Sequence, residues 1–227
     1  MSDDLDLNKE AEESGNNSSP SLQPENEKAK EIRQEEKQTA FDKIYDWLEV
    51  IAVSAAIVIL ALTFVFRISH VDGISMNETL LDGDLLVIQN NYMPKGGDIV
   101  VVQQLNSFFE YPLVKRVIAT GGQTLKIDFT NWKVWVDGVL FNEDYVNFEQ
   151  GKIMKYDDFL SIYSGTITKN GNSYEMTIPE GYLFVMGDNR NHSSDSRSGL
   201  VGLVRENEVL GKVVFRMMPL NRIGAVK

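Results

Sequence analysis

The sequence predicts a mainly β protein: an N-terminal transmembrane helix followed by an antiparallel β-sheet domain. Three observations predict it. One charge-free apolar run, Val50–Phe66, reads V-I-A-V-S-A-A-I-V-I-L-A-L-T-F-V-F. After it, short runs of Val, Ile, Leu and aromatic residues are separated by Asp-Gly, Gly-Gly and Pro-Glu-Gly turns. Helical periodicity is scarce beyond Phe66, so the strands have mostly each other to pair with.

The 227 residues are enough for one ordinary domain plus attachments. The absence of cysteine excludes a disulfide framework, a thiolate zinc site and a thiol nucleophile. Only two histidines are present, His70 and His192, which disfavours a multi-His metal site; no metal and no cofactor is expected. A formal net charge of −11 argues against nucleic acid as a partner. Residues 1–49 hold 14 Asp/Glu and 6 Lys/Arg and so carry −8 of that charge. Residues 1–40 read as an acidic disordered tail, too polar to offset its ordering entropy, with helix allowed from Glu25.

Residues 41–68 read as a single membrane anchor with its flanks. Seventeen uncharged residues are the short end of what spans hydrocarbon. Ser54 and Thr63 can bond back to helix carbonyls, and Tyr45 and Trp47 suit an interface. A cleaved leader would start nearer Met1 and end in small residues, whereas Phe64–Ile68 is bulky. The competing reading is a buried helix of a soluble domain. Arg33, Lys37 and Lys43 precede the run and Arg67 alone follows closely, which orients the N-terminus to the cytoplasm and residues 69–227 outside. Membrane lipid is then one partner.

In order after the anchor, Asp82-Gly83 predicts a turn and Leu85–Ile88 a strand. Pro94–Asp98 is a second turn and Ile99–Val102 a buried strand. Glu110–Thr120 reads as a strand ending at Gly121-Gly122, and Lys126–Asp137 alternates, with Lys133–Gly138 closing on a hairpin-like Asp-Gly. Residues 141–175 have no clean period. Met176–Ile178 and Tyr182–Met186 are short strands, and Val213–Met217 is the last.

Three stretches carry chemistry. Ser75 sits between Ile74 and Met76, a few residues past the anchor, and so near a membrane surface. In Pro112–Ala119, P-L-V-K-R-V-I-A, two cations interrupt an apolar strand. Alternation sends Lys115 and Arg116 to opposite faces, so at least one meets apolar surroundings. Either this is an edge strand whose cations snorkel to water, or Lys115 is desolvated, loses its proton and serves as a general base to a serine. Gly187–Arg197, G-D-N-R-N-H-S-S-D-S-R, has ten polar residues of eleven and reads on its own as a solvated hairpin loop.

Together these stretches resemble type I signal peptidases, membrane-anchored serine–lysine enzymes, and in particular the shorter Gram-positive members. The likeness runs from about Asp42 to the C-terminus. It rests on S-M-x-x-T-L at Ser75–Leu80, G-D-I-V-V at Gly97–Val101, K-R-V-I-A-x-G-G at Lys115–Gly122, and G-D-N-R-x-x-S-x-D-S-R at Gly187–Arg197, in that order behind an anchor. The resemblance implies a signal-peptidase-like β-domain that cleaves signal peptides of exported preproteins after small residues, at Ala-X-Ala-like sites, through an acyl-enzyme. It implies Ser75 as nucleophile and Lys115 as base, with Ser193 hydrogen-bonded to the lysine. Asp195–Arg197 and Asp188–Arg116 are then supporting ion pairs. Val71, Met76, Leu80 and Val114 lie at the substrate pocket.

The oxyanion would be held by the Ser75 backbone N–H and the Gly73 region. Some members carry a serine where this chain has Gly73, and many carry proline where it has Glu78, which is expected to face solvent. The alternatives are a catalytically silent, membrane-anchored paralogue that binds or assembles, and a self-cleaving repressor-type peptidase. The first would have lost Ser75 or Lys115; the second would have a DNA-binding domain in place of an acidic tail.

Overall fold

The computed structural model describes residues 23–103, 109, 111–156 and 158–226; residues 1–22 of the predicted tail lie outside them. The chain divides into two compact units, Met1–Ile57 and Val58–Lys227. Its one long helix, α1 (Gln23–Val65), has 43 residues. Residues 23–40, assigned above to a disordered tail, are therefore helical, from two residues ahead of Glu25. Gln, Glu, Lys, Ala and Arg fill this stretch and are strong helix formers. The apolar helix that follows also supplies a formed turn from which to extend, removing the nucleation penalty.

Within α1, Phe41–Val65 is long and apolar enough to cross a membrane, the one such segment among the described residues. The Thr63 hydroxyl donates to the Ile59 carbonyl at 2.7 Å, so this polar group is satisfied within the helix. The helix ends one residue before the predicted Phe66. Phe66–His70 instead forms β1, because Leu85–Gln89 (β2) offers it an antiparallel partner in register Phe66↔Gln89 to His70↔Leu85.

The remaining strands are β3 (Ile99–Val102), β4 (Leu113–Thr120), β5 (Thr124–Asp128), β6 (Lys133–Val136), β7 (Val139–Leu140), β8 (Thr168–Asn170), β9 (Ser173–Thr177), β10 (Tyr182–Met186), β11 (Val204–Arg205), β12 (Val209–Met218) and β13 (Gly224–Ala225). An eight-stranded sheet has the order β1-β2-β12-β3-β4-β10-β11, with β13 on β12, and a five-stranded sheet the order β7-β6-β5-β9-β8. Every pairing is antiparallel. The mainly β class with its N-terminal apolar helix is thus the observed one.

Several boundaries differ from the sequence reading. The alternating segment 126–137 is two strands, broken at Trp132, which has φ 56°. Asp137 and Gly138, at φ 51° and 79°, make the tight turn into β7 that the Asp-Gly pair announces. The stretch read as irregular contains a short helix, α2 (Phe159–Ile162), and β8, and β9 starts at Ser173 rather than Met176. β8 is polar and exposed at every position and β9 mixes Ser, Tyr, Glu and Met, so neither carries the apolar run that betrays a strand. The last predicted strand is longer, Val209–Met218, and β13 follows it.

Ile99 and Val101 join the apolar cluster that holds Val71, Met76, Leu80 and Val114, whereas Val100 and Val102 join the cluster of Val117, Leu183 and Val185. Alternation along one short strand therefore fills two core layers, and this is why its sequence is unbroken I-V-V-V. β12 crosses β2 closely at Gly211: a Cβ there would lie 2.4 Å from the Gln89 carbonyl oxygen. Gly211→Ala must push the two strands apart and should destabilise the domain by about 1–3 kcal/mol. Thermal unfolding of the detergent-solubilised protein measures it; an unchanged midpoint contradicts the packing described.

Candidate active site

Ser75 lies on the loop between β1 and β2, and its backbone is held from both sides. Val71 N–H donates to the Asp84 carbonyl and Leu80 N–H to the Met76 carbonyl, each at 2.9 Å. Met76 and Leu80 are fully buried beneath the loop. They were expected at the substrate pocket; the structure shows them anchoring the Ser75 loop from below, because an apolar side chain in this loop gains most by joining the core. Val71 and Val114 do line the cleft.

Lys115 enters from β4. The register pairs Lys115 with Val100 and Arg116 with Ile99, residues of the two different core layers, so the cations do part to opposite faces. Neither snorkels. β4 pairs with β3 over Leu113–Arg116 and with β10 from Arg116 onward, and both side chains are 3 % exposed. Lys115 Nζ lies 2.7 Å from Ser75 Oγ and 3.1 Å from the Val114 carbonyl oxygen. Burial pushes the Lys115 amine down from 10.5 to about 8; Asp195 pulls it up, Arg197 pushes it down and Asp188 pulls it up.

Gly187–Arg197 is not a solvated loop. Asp188, Arg190, Ser193, Asp195 and Arg197 are all buried. Asp188 receives Arg116 Nε at 2.9 Å and Nη2 at 2.7 Å, and also the Thr79 hydroxyl at 2.6 Å. Arg116 further donates to the Gly97 carbonyl at 2.8 Å and lies 3.8 Å over the Tyr145 ring. Asp195 receives Arg197 Nε at 2.8 Å and Nη2 at 2.7 Å, plus the Gly187 N–H at 2.9 Å. Burial works to raise the Asp195 carboxyl, but the Arg197 charge and these hydrogen bonds outweigh it and hold the group below the usual carboxylate range.

Two expectations are corrected. Ser193 makes no hydrogen bond to Lys115. Its Oγ is buried without a hydrogen-bond partner, although it lies near enough to Asp195 to favour that carboxylate's charged form. Ser193 packs directly under Gly187, where an added Cβ would come within 2.2 Å of Ser193 Oγ and 2.5 Å of the Ser75 carbonyl oxygen. Gly73 gives its N–H to Asp82 Oδ1 at 2.8 Å. Of the two expected oxyanion contributors, only the Ser75 N–H is uncommitted among the described residues. Glu78 is exposed, as expected, and the carboxylates acting on Lys115 are Asp195 and Asp188. His192 is 55 % exposed, with Nε2 3.6 Å from Glu149.

Three functional contributions were missed. Asn189 N–H donates to the Ser75 carbonyl and its side chain to the Ile74 carbonyl, both at 3.0 Å. Arg190, buried, donates to the Gly187 carbonyl at 3.1 Å and pairs with Glu143 at 2.5 Å. Thr79 ties the nucleophile loop to Asp188. Asn189 and Thr79 stood inside quoted motifs; Glu143 lay in the unpatterned stretch, where nothing marked it.

Ser75 and the desolvated Lys115 amine line a cleft of about 290 Å³, with the two ion-paired carboxylates, Asp188 and Asp195, buried behind it. The sequence profile of the family described as "Signal peptidase, peptidase S26" matches residues 44–218. The chain belongs to that family and is a serine endopeptidase by membership. It is 34 % identical over 189 residues to "Signal peptidase I P" of Bacillus subtilis subsp. natto, covering 81 % of this chain and 94 % of that protein. It is 32 % identical to "Signal peptidase IB" of Staphylococcus aureus (strain COL), over 79 % and 92 %. A solved signal peptidase I from Enterococcus faecalis V583 is 28 % identical and overlaps 53 % of this chain and 97 % of that one at a TM-score of 0.36.

Removing Asp188 leaves the Arg116 guanidinium buried beside an apolar layer. Asp188→Ala should destabilise by about 3–5 kcal/mol, and Arg116→Met combined with Asp188→Leu by much less. Denaturant unfolding of the three proteins checks this; a double variant no better than the single one contradicts it.

Proposed function

We propose that this protein is a membrane-anchored endopeptidase that cuts signal peptides from exported preproteins after small residues, with Ser75 as nucleophile and Lys115 as general base. The observation that carries the reading is the 2.7 Å approach of a buried, pKa-lowered Lys115 amine to Ser75 Oγ inside an open cleft. Phe41–Val65 is the anchor. The N-terminus is cytoplasmic and the β-domain faces the extracytoplasmic side, as the Lys/Arg bias supports.

As a neutral amine, Lys115 has a lone pair for the Ser75 hydroxyl proton while an N–H remains on the Val114 carbonyl. Ser75 Oγ attacks the scissile carbonyl as its proton passes to Nζ. The oxyanion meets the Ser75 N–H, whose peptide unit the Asn189 side chain helps to aim by donating to the Ile74 carbonyl. The Lys115 ammonium then gives its proton to the leaving amine, freeing the mature chain and leaving an ester on Ser75. Water, deprotonated by the again neutral Lys115, hydrolyses that ester.

The cleft walls, Val71–Ile74 on one side and Leu113–Val114 on the other, suit an extended substrate. β10 pairs with β4 from Arg116 onward, so Leu113–Lys115 have β3 on one side and the cleft on the other. A substrate strand completes that edge. Asp195–Arg197 and Asp188–Arg116 hold the base and nucleophile segments together, and Ser193 fills space beneath Gly187. The intact dyad supports hydrolysis over a purely binding role.

The test is cleavage of a synthetic Ala-X-Ala signal-peptide substrate in detergent. Wild type should cut after the last Ala, Ser75→Ala should be inactive, and Lys115→Met should lose about 10²–10⁴-fold in kcat. Full turnover by either variant sinks the dyad. The pH profile follows the sign of the shift: the protonated amine cannot accept a proton, so activity should rise about tenfold per pH unit below about 8 and level off above it. A flat profile between pH 6 and 9 would contradict Lys115 as base.

A further inference from the structure

An ion cluster beside the Ser75 loop takes no part in the dyad. Asp84, the residue before β2, is buried, and two arginines reach it. Arg216 Nη1 lies 3.3 Å from one carboxylate oxygen and Arg222 Nη1 3.4 Å from the other. The first of these oxygens also accepts the Leu81 N–H at 3.0 Å. Arg216 is the one cation in V-V-F-R-M-M, the end of β12. Its strand partner is Leu86, which packs with Val71, Met76 and Leu80, so the guanidinium turns toward the loop that carries Ser75. There Nη1 donates to the Thr79 carbonyl at 3.1 Å, while Nε donates to the Arg222 carbonyl at 2.7 Å.

The Ser75 loop is closed at its feet, with the Val71 N–H on the Asp84 carbonyl and the Gly83 N–H on the Val71 carbonyl, each at 2.9 Å. Closure fixes where a loop starts and ends, and leaves the place of its crest to other contacts. The crest carries Ser75. Thr79 is one turn further on, and the Leu80 N–H on the Met76 carbonyl makes that turn one unit. Thr79 is held twice: its hydroxyl donates to Asp188 and its carbonyl accepts Arg216. Asp188 ties the turn to Arg116 on the strand of Lys115, and Arg216 ties it to β12.

We infer that Arg216 is a positioning residue for the cleavage reaction: from outside the cleft, it holds the Thr79 carbonyl and Asp84 so that Ser75 Oγ stays within reach of the Lys115 amine. The inference rests on the endopeptidase reading above. The contacts explain why arginine stands there. The Nε bond to the Arg222 carbonyl fixes the plane of the fork, and Nη1 then meets Thr79 and Asp84 together. A lysine has one nitrogen and no plane. The cleft walls that receive substrate, Val71–Ile74 and Leu113–Val114, do not depend on this fork.

The test uses the full chain in detergent and the synthetic Ala-X-Ala substrate, well below each variant's unfolding midpoint. Arg216→Met keeps an apolar stem and removes the donors. It should lower kcat by about 10- to 100-fold at unchanged KM, the upper end being the cost of about 1 Å of misplacement. Arg216→Lys keeps the charge without the fork and should recover part of that loss; if Arg216→Met does not fold, a lowered kcat at unchanged KM in Arg216→Lys decides. Thr79→Val acts on the same turn, so its combination with Arg216→Met should be less impaired than the product of the two single effects. The pH midpoint of Arg216→Met should stay at about 8, since Asp195, Arg197 and Asp188 all remain around Lys115, whereas a general opening of the site would rehydrate the amine and move the midpoint up toward 10.5. An unchanged kcat, a rise in KM alone, a multiplicative double variant or a midpoint moved upward overturns this inference and leaves the endopeptidase reading standing. Failure of wild type to cut the substrate overturns that reading itself.

Discussion

An amine works as a base near neutral pH only if it is kept dry and kept from carboxylates, and these two demands oppose each other in a polar site. Lys115 is dried by its strand. It lies on β4 beside Val100 and is 3 % exposed, so its charged form loses hydration. Two carboxylates nonetheless lie close enough to act on it, Asp195 and Asp188. Either, left alone, would stabilise the ammonium and remove the base. Each is instead claimed by a guanidinium through two bonds, Asp195 by Arg197 and Asp188 by Arg116. Arginine cannot give up its charge, so the pairing holds at every pH at which the fold exists. The shift from 10.5 to about 8 corresponds to about 3 kcal/mol of lost stability. The loss is complete below pH 8, where folded and unfolded chains are both protonated. It is relieved as pH rises toward 10.5, because there the unfolded chain binds the extra proton.

Ser75, the proposed nucleophile, is held by a different device. A strand fixes Lys115, but Ser75 is on a loop, whose position must be imposed by contacts. Met76 and Leu80 sink into the core below it, Thr79 bonds to Asp188, and Asn189 grips the carbonyls of Ile74 and Ser75. Asp188 thus touches both the strand of the base, through Arg116, and the loop of the nucleophile, through Thr79. Gly187 permits the close approach, since any Cβ there would strike the Ser75 carbonyl and Ser193. The loop after β10 is therefore the clamp that sets the distance between the two reacting groups.

What the sequence disclosed follows from which physics leaves a mark. Ile99–Val102 and Tyr182–Met186 were legible because a doubly buried strand must be apolar throughout. The apolar run Val50–Phe66 was legible because seventeen residues without charge are rare otherwise. β8 was not, since it is polar and exposed at every position, nor was the start of β9, which is polar and pairs with the sequence-distant β5. Lys115 stood out as a cation in an apolar strand, yet the strand alone did not separate a buried amine from a snorkelling edge residue; its 3 % exposure does. The polar composition of Gly187–Arg197 pointed toward solvent, and wrongly so. Its charges satisfy one another, which composition cannot express, and Glu143, the partner of Arg190, lies 47 residues away. The Ser193 contact was illegible for a similar reason: the motif carries the residue but not the direction of its hydroxyl, which is buried without a partner.

The geometry of β4 also gives the proposed specificity a reason that goes beyond pocket size. β4 has a second strand neighbour, β10, only from Arg116 onward, so the cleft beside Leu113–Lys115 is a gap in the sheet. A substrate that fills it is forced into strand geometry, with successive side chains on opposite faces. The residue whose carbonyl meets Ser75 and the residue two before it then share one face, toward Val71 and Val114, while the residue between them points away. Val71 and Val114 cannot recede, because they pack with Met76, Leu80 and Ile99 in one closed cluster. Adding a side chain larger than Ala at either facing position requires displacing that core, and the intervening position is unconstrained. A preference for small–any–small is therefore the expected readout of an edge strand whose wall is part of the hydrophobic core.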